Sequence, residues 1–173
     1  MQGLNEKARA IRCLICDVDG VLTDGRIYLS PQGDQFSVFH AHDGLGLKML
    51  LRAGIEVGII TARESPLAKS RLEELGIRHV YHGQEDKRIA YEKIRTDLQL
   101  EHAQMAFIGD DLVDLACIRL AGLGITVPNA VPLLFEHADW QTTKHGGNGA
   151  VREVAELLLS AQDKLQTLHE HFL

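Results

Sequence analysis

Five short apolar runs, at residues 11–16, 55–60, 79–81, 105–108 and 123–127, alternate with stretches of helical spacing at 44–53, 66–75, 87–98, 112–121 and 151–165. The runs show no polar alternation, as expected of strands covered on both faces, and such strands separated by helices build a parallel sheet. Gly54 and Gly76 directly follow two of the helical stretches, where a left-handed residue often ends a helix. The expected fold class is α/β, a single Rossmann-like domain in which helices flank a central parallel sheet. At 173 residues, such a chain buries about 70% of its unfolded surface and holds a core without disulfides or structural metal.

One segment breaks the alternation. Residues 26–30 and 35–40 are extended runs separated by Pro31, Gln32, Gly33 and Asp34, which predicts a β-hairpin over residues 26–40. It carries Ile27, Tyr28, Leu29, Phe36, Val38 and Phe39. A lone hairpin with that much apolar surface is marginal in water, so a partner subunit is expected to cover it.

The formal charge of -6 comes without a Lys/Arg cluster of the kind that holds a phosphate backbone, which argues against nucleic acid as a partner. An anionic substrate then has to be met by a few locally placed cations. No run reaches the ~18 apolar residues of a membrane span, and residues 1–12 hold no apolar leader, so a cytoplasmic protein with no membrane contact is expected. Cys13, Cys16 and Cys117 form an odd set that suits reduced thiols. Cys13 and Cys16 have CxxC spacing, but residues three apart on a strand face opposite ways, so one metal is not gripped by both. There is no Walker loop and no dinucleotide fingerprint.

In a parallel sheet, chemistry gathers where the strands end and helix N-termini point outward. The first strand ends in Asp17-Val18-Asp19-Gly20, the second in Thr61-Ala62-Arg63, and the fourth in Gly109-Asp110-Asp111, with Asp114 one helical turn on. Lys87 opens the helix after the third strand. Taken singly, an Asp after a strand is an N-cap and a Lys is solvated. Together, several carboxylates on one rim repel each other unless a cation sits among them. All-oxygen ligands suit Mg²⁺ and leave room for a phosphoryl group.

These residues resemble the four signature motifs of the haloacid dehalogenase (HAD) superfamily of phosphatases: Asp17 to Thr23, Thr61, Lys87, and Gly109 to Asp114, in that order. Over nearly the whole chain the pattern is similar to one family within it, the phosphatases of 3-deoxy-D-manno-octulosonate 8-phosphate (KDO 8-phosphate), including Asp43-Gly44 and the Gly146 to Glu153 segment. The resemblance implies a HAD domain and a phosphomonoesterase of lipopolysaccharide precursor biosynthesis. In it, Asp17 attacks phosphorus to form an aspartyl-phosphate, and Asp19 protonates the leaving alkoxide and later activates water. It further implies Mg²⁺ held by Asp17, the Asp19 carbonyl and Asp110, with Asp111 assisting directly or through water. Thr61 and Lys87 would bind the phosphoryl oxygens, and Asp114 would orient Lys87.

Substrate choice is expected from Arg63 and Arg71, whose planar forks match a carboxylate. Relatives acting on nine-carbon keto-sugar phosphates tend to be acidic where Arg63 stands, which favours the eight-carbon acid. The sequence departs from the family pattern at His42, Ala62 and Asn148, where Arg, Gly and a cation are usual. His40 and His42, on one face of an extended segment, are expected to make loop or substrate contacts. Residues 19–61 hold only the hairpin and one helix, and residues 61–87 one helix and one short strand. That leaves no room for a cap domain, so the resemblance implies a capless member closed by a neighbouring subunit, a homotetramer. The tail at 166–173, with His169, His171, Phe172 and Leu173, is expected to fray or to fold over a neighbour's site. Two other readings are a HAD phosphatase for another sugar-acid phosphate, such as a nine-carbon 9-phosphate, and a non-catalytic, receiver-like phospho-acceptor. The second is disfavoured because Asp19 supplies an acid–base group beside Asp17.

Overall fold

The computed structural model describes residues 2–30 and 33–170. Its centre is the strand β1 (Cys13–Cys16), every residue of which is buried. Around it lie β4 (Glu56–Ile60), β5 (His79–Tyr81), β6 (Met105–Gly109), β7 (Leu123–Thr126) and β8 (Trp140–Gln141). The order is β5-β4-β1-β6-β7-β8, and every pairing is parallel. The predicted α/β sheet is therefore present, with β8 added at one edge. A two-residue strand carries no periodicity, which is why the sequence pattern does not show it.

The helices are α1 (Gln2–Ala10), α2 (Ala41–Arg52), α3 (Pro66–Glu74), α4 (Lys87–Asp97), α5 (Leu115–Leu120), α6 (Pro132–Phe135), α7 (Ala150–Ala161) and α8 (Leu165–Glu170). α1 and α2 pack on α7, and α4 packs on α5. Gly46 lets α2 approach α7 closely, because a Cβ there would stand 3.1 Å from the Arg152 Cα. Asp43, almost wholly buried, ties the same two helices together: its carboxylate accepts from the Gly149 N–H at 3.1 Å and the Arg152 N–H at 2.8 Å. It thereby caps α7 across the fold, satisfying donors that Gly149 cannot reach with a side chain of its own. Burial nevertheless raises the Asp43 pKa, the two backbone donors opposing it. Leu14, Ile15, Ile59 and Phe107 are fully enclosed in the core, each contributing about 1.5–3 kcal/mol of apolar burial. Cys13, Cys16 and Cys117 are buried and unpaired, so the CxxC spacing forms no bridge.

Several boundaries differ from the sequence pattern: β1 starts two residues later and α2 three residues earlier than expected. The predicted helix at 112–121 is split, with a single 3-10 turn at Leu112–Asp114 leading into α5. The one at 151–165 ends at Ala161, and Asp163 takes a left-handed φ of 58° before α8 begins. The expected fraying therefore does not begin at 166, since the chain is helical through Glu170; His171, Phe172 and Leu173 lie outside the described residues.

The hairpin pairs β2 (Tyr28–Ser30) with β3 (Gly33–Phe36) in a separate antiparallel sheet. Gly33 and Asp34 belong to the second strand rather than to the turn, and residues 37–40 are not strand. Pro31 and Gln32 lie outside the described residues. Ile27 and Val38 are each 56% exposed, so the chain itself leaves these apolar side chains uncovered.

Candidate active site

Asp17 extends the ladder of β1 by one residue, its N–H donating to the Ile108 carbonyl at 3.1 Å. The chain then folds back on Val18, whose carbonyl accepts from Leu22 at 2.9 Å and Thr23 at 3.0 Å. The Thr23 hydroxyl accepts from the N–H groups of Gly20 and Gly25, which locks the turn. Gly20 is required there twice over. Its φ is +93°, and a Cβ would stand 1.9 Å from Asp110 Oδ2, so the Asp110 carboxylate occupies the space a side chain would need. Asn129, which the sequence pattern does not single out, braces this turn from the other side. Its amide donates to the Gly20 carbonyl at 2.8 Å and accepts from the Gly146 N–H at 2.8 Å. The Gly146 N–H can only donate, so the amide orientation is fixed by its partners.

Lys87, the first residue of α4, is 2% exposed and reaches under the rim. Its ammonium donates to Asp17 Oδ1 at 2.6 Å and to Asp114 Oδ1 at 2.7 Å. The other oxygen of Asp114 accepts from the N–H groups of Asp110 and Asp111 at 3.0 and 3.2 Å. Asp114 therefore bonds Lys87 and also shapes the turn that presents Asp110. Gly109 makes this possible, because a Cβ there would overlap Asp114 at 2.4 Å.

Asp17, Asp110 and Asp114 bring carboxylate oxygens within 4.8 Å of one another. They face the single ammonium of Lys87, which leaves two negative charges unbalanced in a buried corner. Burial, followed by Asp114, pushes the Asp17 pKa well above the usual carboxylate range despite Lys87. Burial, then Asp114 and Asp111, raises Asp110 to about 7. Burial works against the Lys87 ammonium, but Asp17 and Asp114 outweigh it and its pKa stands raised. An all-oxygen donor set carrying a surplus of two negative charges fits a hard divalent cation such as Mg²⁺. Asp111, expected to assist at the ion, is exposed and its carboxylate accepts from the Leu112 N–H at 2.7 Å as a helix cap.

Toward β5 the rim is looser. Thr61 is buried at the end of β4, and its hydroxyl accepts from the Arg63 N–H at 3.2 Å. The Arg63 guanidinium donates to Asp19 Oδ1 at 3.3 Å, with both side chains about one-third exposed. Arg63 thus stands beside Asp19 on the rim. Arg71 lies on α3 with its guanidinium beside Gly44, and it donates to Glu74 at 2.7 Å. His40 accepts from the His42 N–H at the start of α2, and the two rings meet edge to face. Ala62 and Asn148 lie in the loops after β4 and before α7. Among the described residues no helix is long and apolar enough to cross a membrane.

A parallel sheet whose central strand ends in Asp17 and Asp19, with Lys87 and Asp110 brought in from later βα turns, is the arrangement of a phosphoryl-transfer enzyme. Residues 77–154 match the haloacid dehalogenase-like hydrolase family. The 3-deoxy-D-manno-octulosonate 8-phosphate phosphatase KdsC of Yersinia pestis is 47% identical over 161 residues, 93% of this chain and 86% of that protein. Among solved structures, the enzyme of the same name from Moraxella catarrhalis, in complex with magnesium, phosphate and KDO, superimposes with a TM-score of 0.97 at 43% identity, covering 100% of this chain and 99% of that one. The cobalt-bound phosphatase from Haemophilus influenzae gives a TM-score of 0.90 at 37% identity, over 93% of this chain and 94% of that one. The chain belongs to the HAD-like hydrolases, in the family of these phosphatases.

Proposed function

We propose that this chain is a Mg²⁺-dependent phosphomonoesterase that hydrolyses KDO 8-phosphate to KDO and inorganic phosphate, a step toward lipopolysaccharide precursors. The observation that carries the chemistry is the Lys87 ammonium clamped between Asp17 and Asp114 at 2.6 and 2.7 Å, with Asp110 alongside. The substrate assignment draws on the relatives and on Arg63 standing at the rim beside Asp19.

Asp17, held at Oδ1 by Lys87, is the nucleophile. As its carboxylate bonds phosphorus, the bond from phosphorus to the C8 oxygen breaks and Asp19 gives that oxygen its proton. Asp19 then takes a proton from water as the water oxygen attacks phosphorus, which releases phosphate and restores the Asp17 carboxylate. Lys87 and the Thr61 hydroxyl offset charge on the phosphoryl oxygens, in a pocket where burial strengthens each contact. When bound, Mg²⁺ neutralises the surplus charge of Asp17 and Asp110 and lets an anionic ester approach them. Asp111 supports the ion from outside the cluster, and Arg71 supplies a second cation for the acid.

The exposed Ile27, Tyr28 and Val38 support a second copy covering the hairpin and closing the open rim, within a homotetramer. Unpaired, buried cysteines suit a reducing cytoplasm. The test is a substrate panel with purified protein and Mg²⁺. KDO 8-phosphate should give the highest kcat/KM; a nine-carbon keto-sugar 9-phosphate ahead of it would reassign the substrate, and release of one equivalent of KDO with the phosphoryl group left on the protein would point to a phospho-acceptor.

A further inference from the structure

Beyond the acidic cluster, the same rim of the sheet opens into a second recess. A cavity of ≈ 530 Å³ lies between the loop after β4 and the end of β5, lined by Glu64, Ser65, Lys69 and His82. The segment carrying His82 is fixed to the phosphoryl-binding strand on both sides. Thr61 N–H donates to the Tyr81 carbonyl and Gln84 N–H donates to the Thr61 carbonyl, each at 3.0 Å. Gly83, with φ +65°, lets Glu64 lie against this segment, since a Cβ there would stand 3.3 Å from Glu64 Oε1.

Both ring nitrogens of His82 are enclosed and have no hydrogen-bond partner among the described residues. A neutral imidazole has one donor and one acceptor to satisfy, and leaving them bare costs on the order of 1–3 kcal/mol. Such a group in a native fold calls for an explanation, and the neighbouring cavity offers one. A turn of the ring toward the recess it lines would hand a nitrogen to whatever occupies that space. The recess is lined besides by one cationic residue, Lys69, and one acidic residue, Glu64, while the Ser65 hydroxyl accepts from the Ala68 N–H as the cap of α3.

Position supplies the second argument. β5 is two strands from β1 in the sheet order, and adjacent strands lie about 4.8 Å apart, which puts the recess roughly 10 Å along the rim from Asp17. A chain of eight carbons esterified at one end and carboxylated at the other reaches that far, and a short phosphate ester does not. We propose that His82 and Lys69 form a leaving-group subsite for the acid end of the substrate, Lys69 facing the carboxylate and His82 bonding a hydroxyl beside it. This rests on the phosphatase reading given above and adds two specificity residues to it.

The measurement is calorimetric binding of two probes to the Mg²⁺-loaded protein: KDO, which carries the acid end without phosphate, and inorganic phosphate. His82→Ala and Lys69→Ala should each weaken KDO about tenfold while phosphate stays within about twofold, and His82→Gln, which keeps a donor and an acceptor, should recover most of the loss. Unchanged KDO affinity in both variants, or equal loss for both probes, would overturn the subsite. Wild-type protein that hydrolyses p-nitrophenyl phosphate but neither binds nor forms KDO would overturn the substrate reading, and the subsite with it. KDO 8-phosphate turnover by the wild type alongside normal KDO binding in the variants would overturn the subsite alone.

Discussion

The two ends of the catalytic rim are built differently. At the β1–β6 end, Asp17, Lys87 and Asp114 are almost fully buried and joined by bonds of 2.6 and 2.7 Å, and the turn before them is braced by Thr23 and Asn129. At the β4–β5 end, Arg63 meets Asp19 at 3.3 Å with about a third of each side chain in solvent, and His82 has no partner among the described residues. The first end is organised before any ligand arrives, as expected where charge must be stabilised without reorganisation. The second leaves contacts for the leaving group to complete. On the proposed reading, the first end carries the reaction and the second recognises the acid.

The sharpest way to break that contrast is to remove the proposed nucleophile. Asp17→Asn should lower kcat by about 10⁴-fold or more, read as steady-state phosphate release, with the circular dichroism spectrum retained. Full activity in that variant would reassign the reaction's first step. Lys87→Met should cost kcat about 10²–10³-fold. It should also destabilise the metal-free fold by about 3–5 kcal/mol, because Asp17 and Asp114 lose a buried counter-charge; urea denaturation measures this. Arg63→Met tests the looser end. It should reduce kcat/KM on the sugar-acid phosphate about 30-fold, with a smaller loss on p-nitrophenyl phosphate. Equal losses on both esters would mean that Arg63 serves the chemistry and not recognition. Asn129→Ala should lower kcat about tenfold by releasing the Gly20 turn, with a rise in the Mg²⁺ concentration giving half activity.

The smallest expected effect is on pH dependence. Asp110 keeps its proton up to about 7 in the folded chain, whereas an unfolded aspartate ionises near ~4. Between those values the folded state holds the extra proton, so the stability of the metal-free protein should fall as pH rises through that window. The change is on the order of 1 kcal/mol once partial exposure is allowed for, and Mg²⁺ should reverse it. Thermal denaturation in chelator across pH 4–8 reads the slope, and a slope of opposite sign would show that Asp110 is ionised without metal.

How legible each part was follows from how local its cause is. The turn after a parallel strand is written in the few residues that make it, so Asp17, Asp19, Thr61, Lys87 and Asp110 stand out in the sequence and are found on one rim. Asn129 acts on Gly20, 109 residues away, and nothing in its neighbours marks it; Asp43-Gly44 is marked by the resemblance, but not the bond from Gly149, 106 residues away, that makes Asp43 a cap. Asp111 is marked by its place after Asp110, but its bond to the Leu112 N–H, which caps the turn that follows, is not. α1 is charged and weakly apolar, and it forms where α7 offers it a surface. Gly33 and Asp34 read as turn formers, but pairing with Ser30 and Leu29 puts them in the strand.

The sealed cysteines make the chain a convenient carrier for spectroscopic labels. Cys13 and Cys117 have pKa values pushed up to about 12 by burial, and burial raises Cys16 as well, so none offers thiolate to a maleimide or a spin reagent. A single engineered cysteine at the exposed Ile89, outside the hairpin, would then be modified alone, in the otherwise native sequence. Distances between such tags on different copies would report how many chains come together, and in what arrangement, while the enzyme turns over.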